Sequence, residues 1–259
     1  ISYADFLKEY FPVIHEENNV GIGECLLSSL TVYTEFIEYS AATHVYDTSM
    51  YTGSAVIWSM DDNYTYFVTN YHVTYSSGVS SVRNGGDTAR KITAYLYGSE
   101  LTPVKSGRDD KGYTKYEYGD YAISCEYVGG AITSDIAVIR AKTDDVLAVN
   151  ENVKPVKLAA GYHVGEKAVA IGNLKGMGIS VNEGVISMLD DDIKLNIDGT
   201  TRTYRSIRID THIQHGNSGG GLFNANGELI GITNGGDEND ATVNYINFAI
   251  PLEIVRGTV

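Results

Sequence analysis

Residues 215–233 form the stretch HGNSGGGLFNANGELIGIT, which decides the choice of fold. Its serine, Ser218, is flanked by glycines, which leave room for another backbone to approach and let consecutive N–H groups point at one spot. An apolar run, an Asn-Gly turn and a second apolar run follow, the pattern of a β-hairpin. The stretch therefore predicts a reactive serine on a turn between strands. An ordinary glycine-rich turn is the alternative interpretation.

The segment 216–220 also fits G-x-S-x-G, the nucleophile turn of α/β-hydrolases, in which the catalytic histidine follows the serine along the chain. The six histidines are His15, His44, His72, His163, His212 and His215, and none follows Ser218. A helix should also follow that turn, whereas a hairpin is predicted here. With the serine last, the remaining chain orders are those of subtilisin and chymotrypsin. Subtilisin needs long helices that this sequence lacks, so the order His…Asp…Ser on an all-β chain is favoured.

Composition and periodicity support an all-β chain. The sequence has 28 Gly, 20 Tyr and only 4 Pro, and Gly and Tyr with Val, Ile and Thr favour strands joined by tight turns. The stretch TVYTEFIEY (31–39) alternates polar and apolar residues, which predicts a strand with one buried face. Further strands are predicted at 53–59, 64–70, 91–98, 121–128, 135–141, 167–173, 179–188, 203–211, 220–233 and 243–251, with an elaborated loop or hairpin between 101 and 120.

Short helical segments are predicted at both ends, and a linker in the middle. SYADFLKEY (2–10) fits a short helix capped by Ser2, and PLEIVRGTV (251–259) fits a brief terminal helix. The stretch 141–155 is polar and has no strong period, so it is the best candidate for a linker. Strands on both sides of it predict two antiparallel β modules of similar size.

The charge of the chain excludes two classes of partner. Nineteen basic and thirty-three acidic side chains give a formal charge of -14, which repels nucleic acid and anionic lipid surfaces. No apolar run reaches the roughly 18 residues of a membrane span. Because the chain starts at Ile1 without a basic and apolar leader, we expect that any signal or anchor was removed or never included.

No cofactor or metal site is predicted. Cys25 and Cys125 lie in no CxxC motif or Cys/His cluster, and two buried small side chains are favoured over a disulfide. The run Asp190-Asp191-Asp192 has no calcium-loop spacing, so a solvated loop is favoured over a calcium site.

Candidates for the histidine and the aspartate follow from context. His72 lies in YFVTNYHVTY, directly after a predicted strand, where a side chain is held rigidly yet can face a cleft. A structural histidine is the alternative. Several aspartates lie between His72 and Ser218, and their spacing does not select one. Asp135 precedes the apolar run IAVI and is expected to be partly buried, as the role requires, although capping of a strand start explains it equally well.

Six blocks occur in the order found in trypsin-like peptidases. They are TNYHV (69–73), SDIAVIRA (134–141), AIGNLKG (170–176), SVNEGVIS (180–187), the stretch 215–233 and FAIP (248–251). Together they cover roughly residues 50–251, and they resemble the protease domain of the HtrA (high-temperature-requirement) family, without its PDZ module in this chain. Three departures from that family are Ala55 after Gly53-Ser54, Leu174 in place of a proline, and Gly221 in place of a proline.

The resemblance implies a fold, a division of the chain and a site. The fold is two six-stranded antiparallel β-barrels: residues 1–25 form an extension, 26–145 the first barrel with His72 and Asp135, and 146–259 the second with Ser218. The implied activity is that of a serine endopeptidase acting on proteins or peptides, with an oxyanion hole from the backbone N–H groups of Gly216 and Ser218. Bacterial and extracytoplasmic relatives imply a secreted, cell-surface or periplasmic location, and an oligomer stays open.

The resemblance also places a specificity pocket. His212 is expected near its base, Asn234, Gly235 and Gly236 along one wall, and Asn247 on another. Because the family usually has small residues at 212 and 247, a pocket that accepts an acidic or polar side chain is a hypothesis, with a His212 that merely packs as the alternative.

Two further functions and one mode of activation were weighed. A catalytically silent scaffold acting as a binding or chaperone-like module is the main alternative to an enzyme, and a secreted adhesion or structural protein is a third. Asn217 stands where digestive proteases have the aspartate that pairs with a new Ile terminus. An asparagine forms no such ion pair, so we expect no activation by cleavage before Ile1.

Overall fold

The computed structural model describes residues 20–76, 88–197, 200–236 and 247–259. The helices are α1 (Val20–Leu26), α2 (Tyr71–Thr74), α3 (Thr143–Val149) and α4 (Leu252–Thr258), with a 3-10 turn at Leu174–Gly176. The strands of the amino-terminal half are β1 (Ser29–Ser40), β2 (Val45–Met60), β3 (Tyr64–Asn70), β4 (Lys91–Leu96), β5 (Val104–Arg108), β6 (Thr114–Glu117), β7 (Ile123–Ala131) and β8 (Ile136–Lys142). Those of the other half are β9 (Lys157–Leu158), β10 (Lys167–Asn173), β11 (Ile179–Ile197), β12 (Thr200–Ile209), β13 (Gly221–Phe223), β14 (Glu228–Gly236) and β15 (Asn247–Pro251).

Two closed rings of antiparallel strands confirm the predicted all-β class. The first is a six-stranded barrel with the strand order β1-β2-β3-β8-β7-β4. The second has the order β13-β10-β11-β12-β15-β14 and closes through pairing of β13 with β14, while the two-residue strand β9 joins β14 in parallel. Closure matters because it gives every strand of each ring a neighbour on both sides, so neither ring ends in an edge strand.

Each barrel encloses apolar side chains. The first barrel is filled by residues such as Leu30, Phe67 and Ile139, all without solvent exposure. The core of the second barrel includes Leu222 and Phe223 and continues into residues of β2, β3 and β8, so one apolar cluster joins both barrels. This shared core packs the two barrels against each other.

Strand β1 differs from the prediction of one buried face. Its first nine residues, 29–37, are all buried, because the segment around the β5–β6 hairpin covers the outer face. The Tyr118 hydroxyl donates to Glu35 at 2.6 Å, and the backbone N–H of Gly119 donates to the Tyr95 hydroxyl at 2.8 Å. The polar residues among the first nine of β1 are therefore buried under a cover and do not face water, and Glu35 is hydrogen-bonded to that cover.

Most of the smaller expectations agree with the structure, and one differs. The elaborated hairpin is present as the β5–β6 pair, and the terminal helix as α4. The candidate linker contains the helix α3, which its weak period did not predict. The helix expected at 2–10 lies outside the described residues. The two cysteines are buried and unpaired with each other, as expected.

The expectation of a loop at Asp190-Asp191-Asp192 is wrong, although Asp190 and Asp192 are exposed to solvent as expected. The three residues belong to β11, at an irregularity in its pairing with β12. Two arginines on β12 pair with the first two of them: Arg205 donates to Asp190 at 2.8 Å and Arg208 to Asp191 at 2.7 Å. A run of acidic residues is accommodated in a strand here because its partner strand supplies the opposite charge.

Replacing Phe67 by alanine should destabilise the first barrel. Phe67 is fully buried in the barrel core, and removal of such a ring costs about 3–5 kcal/mol of unfolding free energy. Urea denaturation measures the loss. The matched control is Val104→Ala on the exposed β5 hairpin strand, which should stay within about 0.5 kcal/mol of the parent. Equal effects of the two changes would contradict the assigned core.

Candidate active site

His72 and Asp135 meet because their strands are neighbours. β3 and β8 pair antiparallel with Asn70 opposite Ile136, so the residue two places after one strand lies beside the residue just before the other. The His72 Nδ1 and Asp135 Oδ2 atoms are 2.8 Å apart, and the His72 backbone N–H donates to the other carboxylate oxygen at 2.9 Å. The carboxylate therefore fixes both the ring and the backbone of the histidine.

Asp135 is held from several directions. Its side chain has no exposed surface, and its φ of +53° lies in the left-handed region, where an aspartate is tolerated better than most residues. Its carbonyl accepts bonds from the Tyr71 backbone N–H and the Asn70 Nδ2, both at 3.0 Å. The Asn234 Nδ2 donates to the same carboxylate oxygen as the imidazole, at 2.8 Å. A buried charge needs such a full set of partners to be stable.

The pKa of His72 is raised above its ordinary value. Burial alone would lower the pKa, but the negative charge of Asp135 and the hydrogen bond to it outweigh burial. About a third of the side chain, 34%, remains exposed. The imidazole is therefore both oriented by the carboxylate and open to the cleft, and a hydrogen on Nδ1 leaves Nε2 as the basic nitrogen.

Ser218 lies in the turn before β13, and its hydroxyl donates to the backbone carbonyl of Asn234 at 3.1 Å. The structure thus links Ser218 to Asp135 through one residue, since the side chain of Asn234 contacts the carboxylate and its carbonyl receives the hydroxyl. The hydroxyl has the carbonyl, and not the imidazole, as its hydrogen-bond partner.

Within the described residues, two backbone N–H groups around Ser218 have no acceptor. Bonds satisfy the N–H groups of Asn217, Gly219 and Gly220, with acceptors on Gln214, Thr233 and Asn217. Those of Gly216 and Ser218 donate to no acceptor in the described part of the chain. Gly216 has a φ of +93°, and a Cβ there would lie 2.1 Å from the Asn173 carbonyl oxygen, so only glycine fits. Two free donors on either side of Asn217 form a site for a developing negative charge.

The carbonyl groups of the same turn are fixed. The Lys175 backbone N–H donates to the His215 carbonyl oxygen at 2.7 Å, and the Ser54 hydroxyl donates to the Gly216 carbonyl oxygen at 2.7 Å. The Asn217 oxygen accepts from the Thr233 hydroxyl, and the Ser218 oxygen accepts from the Ser54 N–H at 2.8 Å. Every peptide plane from 215 to 218 is oriented by a bond to its carbonyl. Sequence reasoning did not assign roles to Ser54, Lys175 or Thr233; Ser54 lay in a block noted only for its departure from Gly-Ser-Gly.

The residues expected around a specificity pocket differ in burial and in their neighbours. His212 is exposed, and its Nε2 lies 2.7 Å from the Gln214 Nε2. Asn247 is buried and pairs with Gly236 across β14 and β15, while Gly235 pairs with Phe248. The side chain of Asn234 contacts Asp135, so this residue can line a pocket only through its backbone. The structure brings Gly236 and Asn247 together, and gives His212 a polar neighbour.

Asn217 has a buried side chain whose two polar atoms lack a partner within the described residues. Ile1, the residue whose amine was weighed as a partner for this position, lies outside them. Among the described residues no cluster of His, Cys, Asp or Glu could hold a metal ion. No helix in that part of the chain has the length and apolar character needed to cross a membrane.

Comparison with solved structures identifies the same fold. An HtrA-type protease, AlgW, solved with a decapeptide, matches 92% of this chain and 64% of its own, with a TM-score of 0.64 and 23% identity. The same protease solved with a tripeptide gives a TM-score of 0.61 at 24% identity, covering 93% of this chain and 62% of its own.

The sequence relatives are also named as serine proteases. The serine protease Do-like HtrB of Bacillus subtilis is 31% identical over 211 residues, which are 80% of this chain and 37% of the relative. The periplasmic serine endoprotease DegP of Salmonella typhimurium is 38% identical over 132 residues, 50% of this chain and 26% of the relative. The chain thus spans well under half the length of these relatives.

The model of the trypsin-like peptidase domain family matches residues 53–232, which is more than half of the chain. The match includes the His72–Asp135 pair, the Ser218 turn and the strands that position them. The chain therefore belongs to the trypsin-like peptidase domain family, and among its members it resembles the HtrA-type serine proteases.

Proposed function

We propose that this chain is a serine endopeptidase in which Ser218 is the nucleophile, His72 the general base and Asp135 the residue that orients the histidine. One observation carries the proposal: within the described residues the Gly216 and Ser218 N–H groups, on either side of Asn217, have no acceptor, and the Ser218 hydroxyl is one residue removed from the pair formed by His72 and the buried Asp135. Named serine protease relatives support the same activity class.

The reaction begins when the Ser218 hydroxyl leaves the Asn234 carbonyl by rotation about its side-chain bond. The hydroxyl proton then passes to His72 Nε2 as the oxygen attacks the carbonyl carbon of a peptide bond. The tetrahedral intermediate collapses when His72 returns this proton to the leaving amine, which gives an acyl-enzyme on Ser218. Water attacks the ester by the same route, so hydroxyl and imidazole are regenerated.

Asp135 acts on the base through two bonds. The bond from His72 Nδ1–H to the carboxylate keeps the second nitrogen free to accept the serine proton, and the charge stabilises the imidazolium that forms. The bond from the histidine backbone N–H holds the residue in register with the carboxylate. Asn234 adds a third donor to the same group.

The oxyanion of the intermediate is assigned to the Gly216 and Ser218 N–H groups. Donors that are already oriented cost no reorganisation when charge develops, and loss of one typically lowers turnover by about 10²–10³-fold. The four fixed carbonyl groups of residues 215–218 supply this orientation.

We further propose protein or peptide substrates, an extracytoplasmic location, and a division of the chain into an extension (1–25), a first barrel (26–145) and a second barrel (146–259). The barrel strands lie within 29–142 and 167–251, in keeping with this division. The pocket for the side chain before the cleaved bond is assigned to Gly235, Gly236, Asn247 and the Asn234 backbone, with the exposed His212 favouring acidic or polar side chains.

A silent scaffold that binds peptides without cleaving them is the second candidate. The bond from the Ser218 hydroxyl to the Asn234 carbonyl favours it, because a serine held away from the imidazole is not activated. Turnover separates the two candidates.

Ser218→Ala should abolish casein hydrolysis and labelling by a fluorophosphonate probe. The parent chain should show both, because the probe needs a serine activated by the histidine. Ser59→Ala, on the same strand as Ser54 but away from the turn, is the matched control and should keep both. Labelling of the Ser218→Ala variant at the parental rate would remove the assignment of the nucleophile. A parent chain that binds peptides but neither cleaves nor labels would support the scaffold.

Asp135→Asn should keep the fold and lower turnover by roughly 10⁴-fold, because the imidazole loses its productive tautomer. The pH dependence gives an independent readout. In the parent, kcat/KM should fall as pH drops through the raised pKa of His72, since the protonated ring accepts no proton. Removing the charge that raises the pKa should move this acidic limb to lower pH. An unchanged limb would show that another group controls it.

Profiling with a peptide library tests the pocket. We expect cleavage after acidic or polar residues, and His212→Ala should weaken that preference while leaving turnover of apolar substrates unchanged, because the residue lies outside the reacting groups. A plain preference for Val or Ala in the parent would contradict the assigned role of His212.

A further inference from the structure

Ser54 lies on the first barrel but is bonded to the nucleophile turn of the second. It belongs to β2, has 1% exposure, and makes three hydrogen bonds across to the other barrel. Its hydroxyl donates to the Gly216 oxygen at 2.7 Å, and its backbone N–H donates to the Ser218 oxygen at 2.8 Å. The Asn173 N–H donates to the same hydroxyl at 2.7 Å.

These contacts concern the two residues whose N–H groups are free. Ser54 fixes the carbonyl of Gly216 with its side chain and the carbonyl of Ser218 with its main chain. The Gly216 carbonyl belongs to the peptide plane that lies between the two planes carrying the free N–H groups, and the Ser218 carbonyl belongs to the plane that follows them. Fixing both carbonyls therefore limits rotation of the backbone at Gly216 and at Ser218. The direction of each free N–H group depends on that rotation, because it sets the positions of the flanking peptide planes.

The direction of the Ser54 hydrogen bond is determined by its partners. The Asn173 backbone N–H can only donate, so the hydroxyl oxygen accepts from it, and the hydroxyl hydrogen is left for the Gly216 carbonyl. The bond is buried. Little space surrounds it: a Cβ on Gly172 would lie 2.9 Å from the Ser54 Oγ.

We propose that Ser54 is a positioning residue for the oxyanion hole, which keeps the Gly216 and Ser218 N–H groups directed at the same point through its hydrogen bond to the Gly216 carbonyl. The proposal rests on the proposed function and deepens it. In this proposal Ser54 contacts neither the substrate nor the groups that transfer the proton. Loss of its hydroxyl should therefore weaken stabilisation of the transition state and leave ground-state binding of the substrate intact.

The variant Ser54→Ala removes the hydroxyl and keeps the backbone bond to Ser218. We expect kcat to fall by about 10²-fold, comparable to loss of one oxyanion donor, with KM changed less than about threefold. A peptide aldehyde gives a second readout: the Ser218 oxygen adds to its carbonyl carbon, and the resulting tetrahedral hemiacetal oxygen occupies the oxyanion hole. Its affinity should fall in step with kcat/KM.

A structural role alone would give a different pattern. Thr65→Val removes a hydroxyl that is equally buried, on β3, where it bonds to Thr143 at 3.0 Å and contacts no residue of the turn. This control should lose thermal stability without a change in kcat. Titration of active sites with a fluorophosphonate should reach the same end point for Ser54→Ala as for the parent, which shows that the molecules are folded and slow.

The milder variant Ser54→Cys covers the case in which alanine prevents folding. A thiol fills the site but donates weakly, so its kcat should lie between those of the parent and the alanine variant. Parental kcat and aldehyde affinity in Ser54→Ala, or parental kcat in Ser54→Cys when the alanine variant does not fold, would overturn the proposal and leave the function standing. A parent chain that neither cleaves peptides nor binds the aldehyde would overturn both.

Discussion

The carboxylate of Asp135 has no exposed surface, and satisfying its charge constrains the whole cleft. Its oxygens accept bonds from the His72 ring, the His72 backbone N–H and the Asn234 amide, each at 2.8 or 2.9 Å. An unpaired charge in this position would cost several kcal/mol. The donors come from both barrels, so the site forms only when the barrels are packed together. The Asn234 carbonyl also accepts the hydrogen bond of the Ser218 hydroxyl, which connects Ser218 to the same charge.

The backbone conformation of the turn that carries Ser218 is fixed by close contacts with other segments more than by the preferences of its own residues. Gly219 has a φ of +87°, and a Cβ there would lie 2.2 Å from the backbone carbonyl oxygen of Ser54. The glycines allow β2 and β10 to approach the turn, and the approaching strands then orient its carbonyl groups. Local flexibility in the sequence thus becomes a fixed backbone in the fold, as a preorganised oxyanion hole requires.

Much of the fold followed from the sequence because strand patterns and turn residues are local signals. The hairpin after Ser218 excluded the α/β-hydrolase interpretation, and two closed rings of strands are present as expected. The contact between His72 and Asp135 required resemblance, since spacing did not select one aspartate. The burial of both faces of β1 was missed because its cover comes from a segment distant in sequence. The strand at Asp190–Asp192 was missed because the opposite charge comes from side chains that only the pairing with the next strand brings close.

The contacts of Ser54 and Asn234 were also beyond the sequence. An Asn on a pocket wall and a Ser in a strand are ordinary residues, and their roles depend on which atoms lie 2.7–2.8 Å away across the barrel interface. A pattern in the amino-acid sequence does not show which way such side chains point. The structure shows these directions, and it shifts attention from the three side chains of the proposed triad to the residues that hold them.

The central claim is that Ser218 becomes acylated, and the acyl-enzyme can be trapped directly. A peptide ester whose acyl group is released slowly is mixed with the chain, the reaction is stopped in acid, and the adduct is located by mass spectrometry of a digest. The account predicts one acyl group per chain, on the fragment that contains Ser218, which disappears with time as water completes turnover. An acyl group on another residue, or hydrolysis without any adduct, would contradict it.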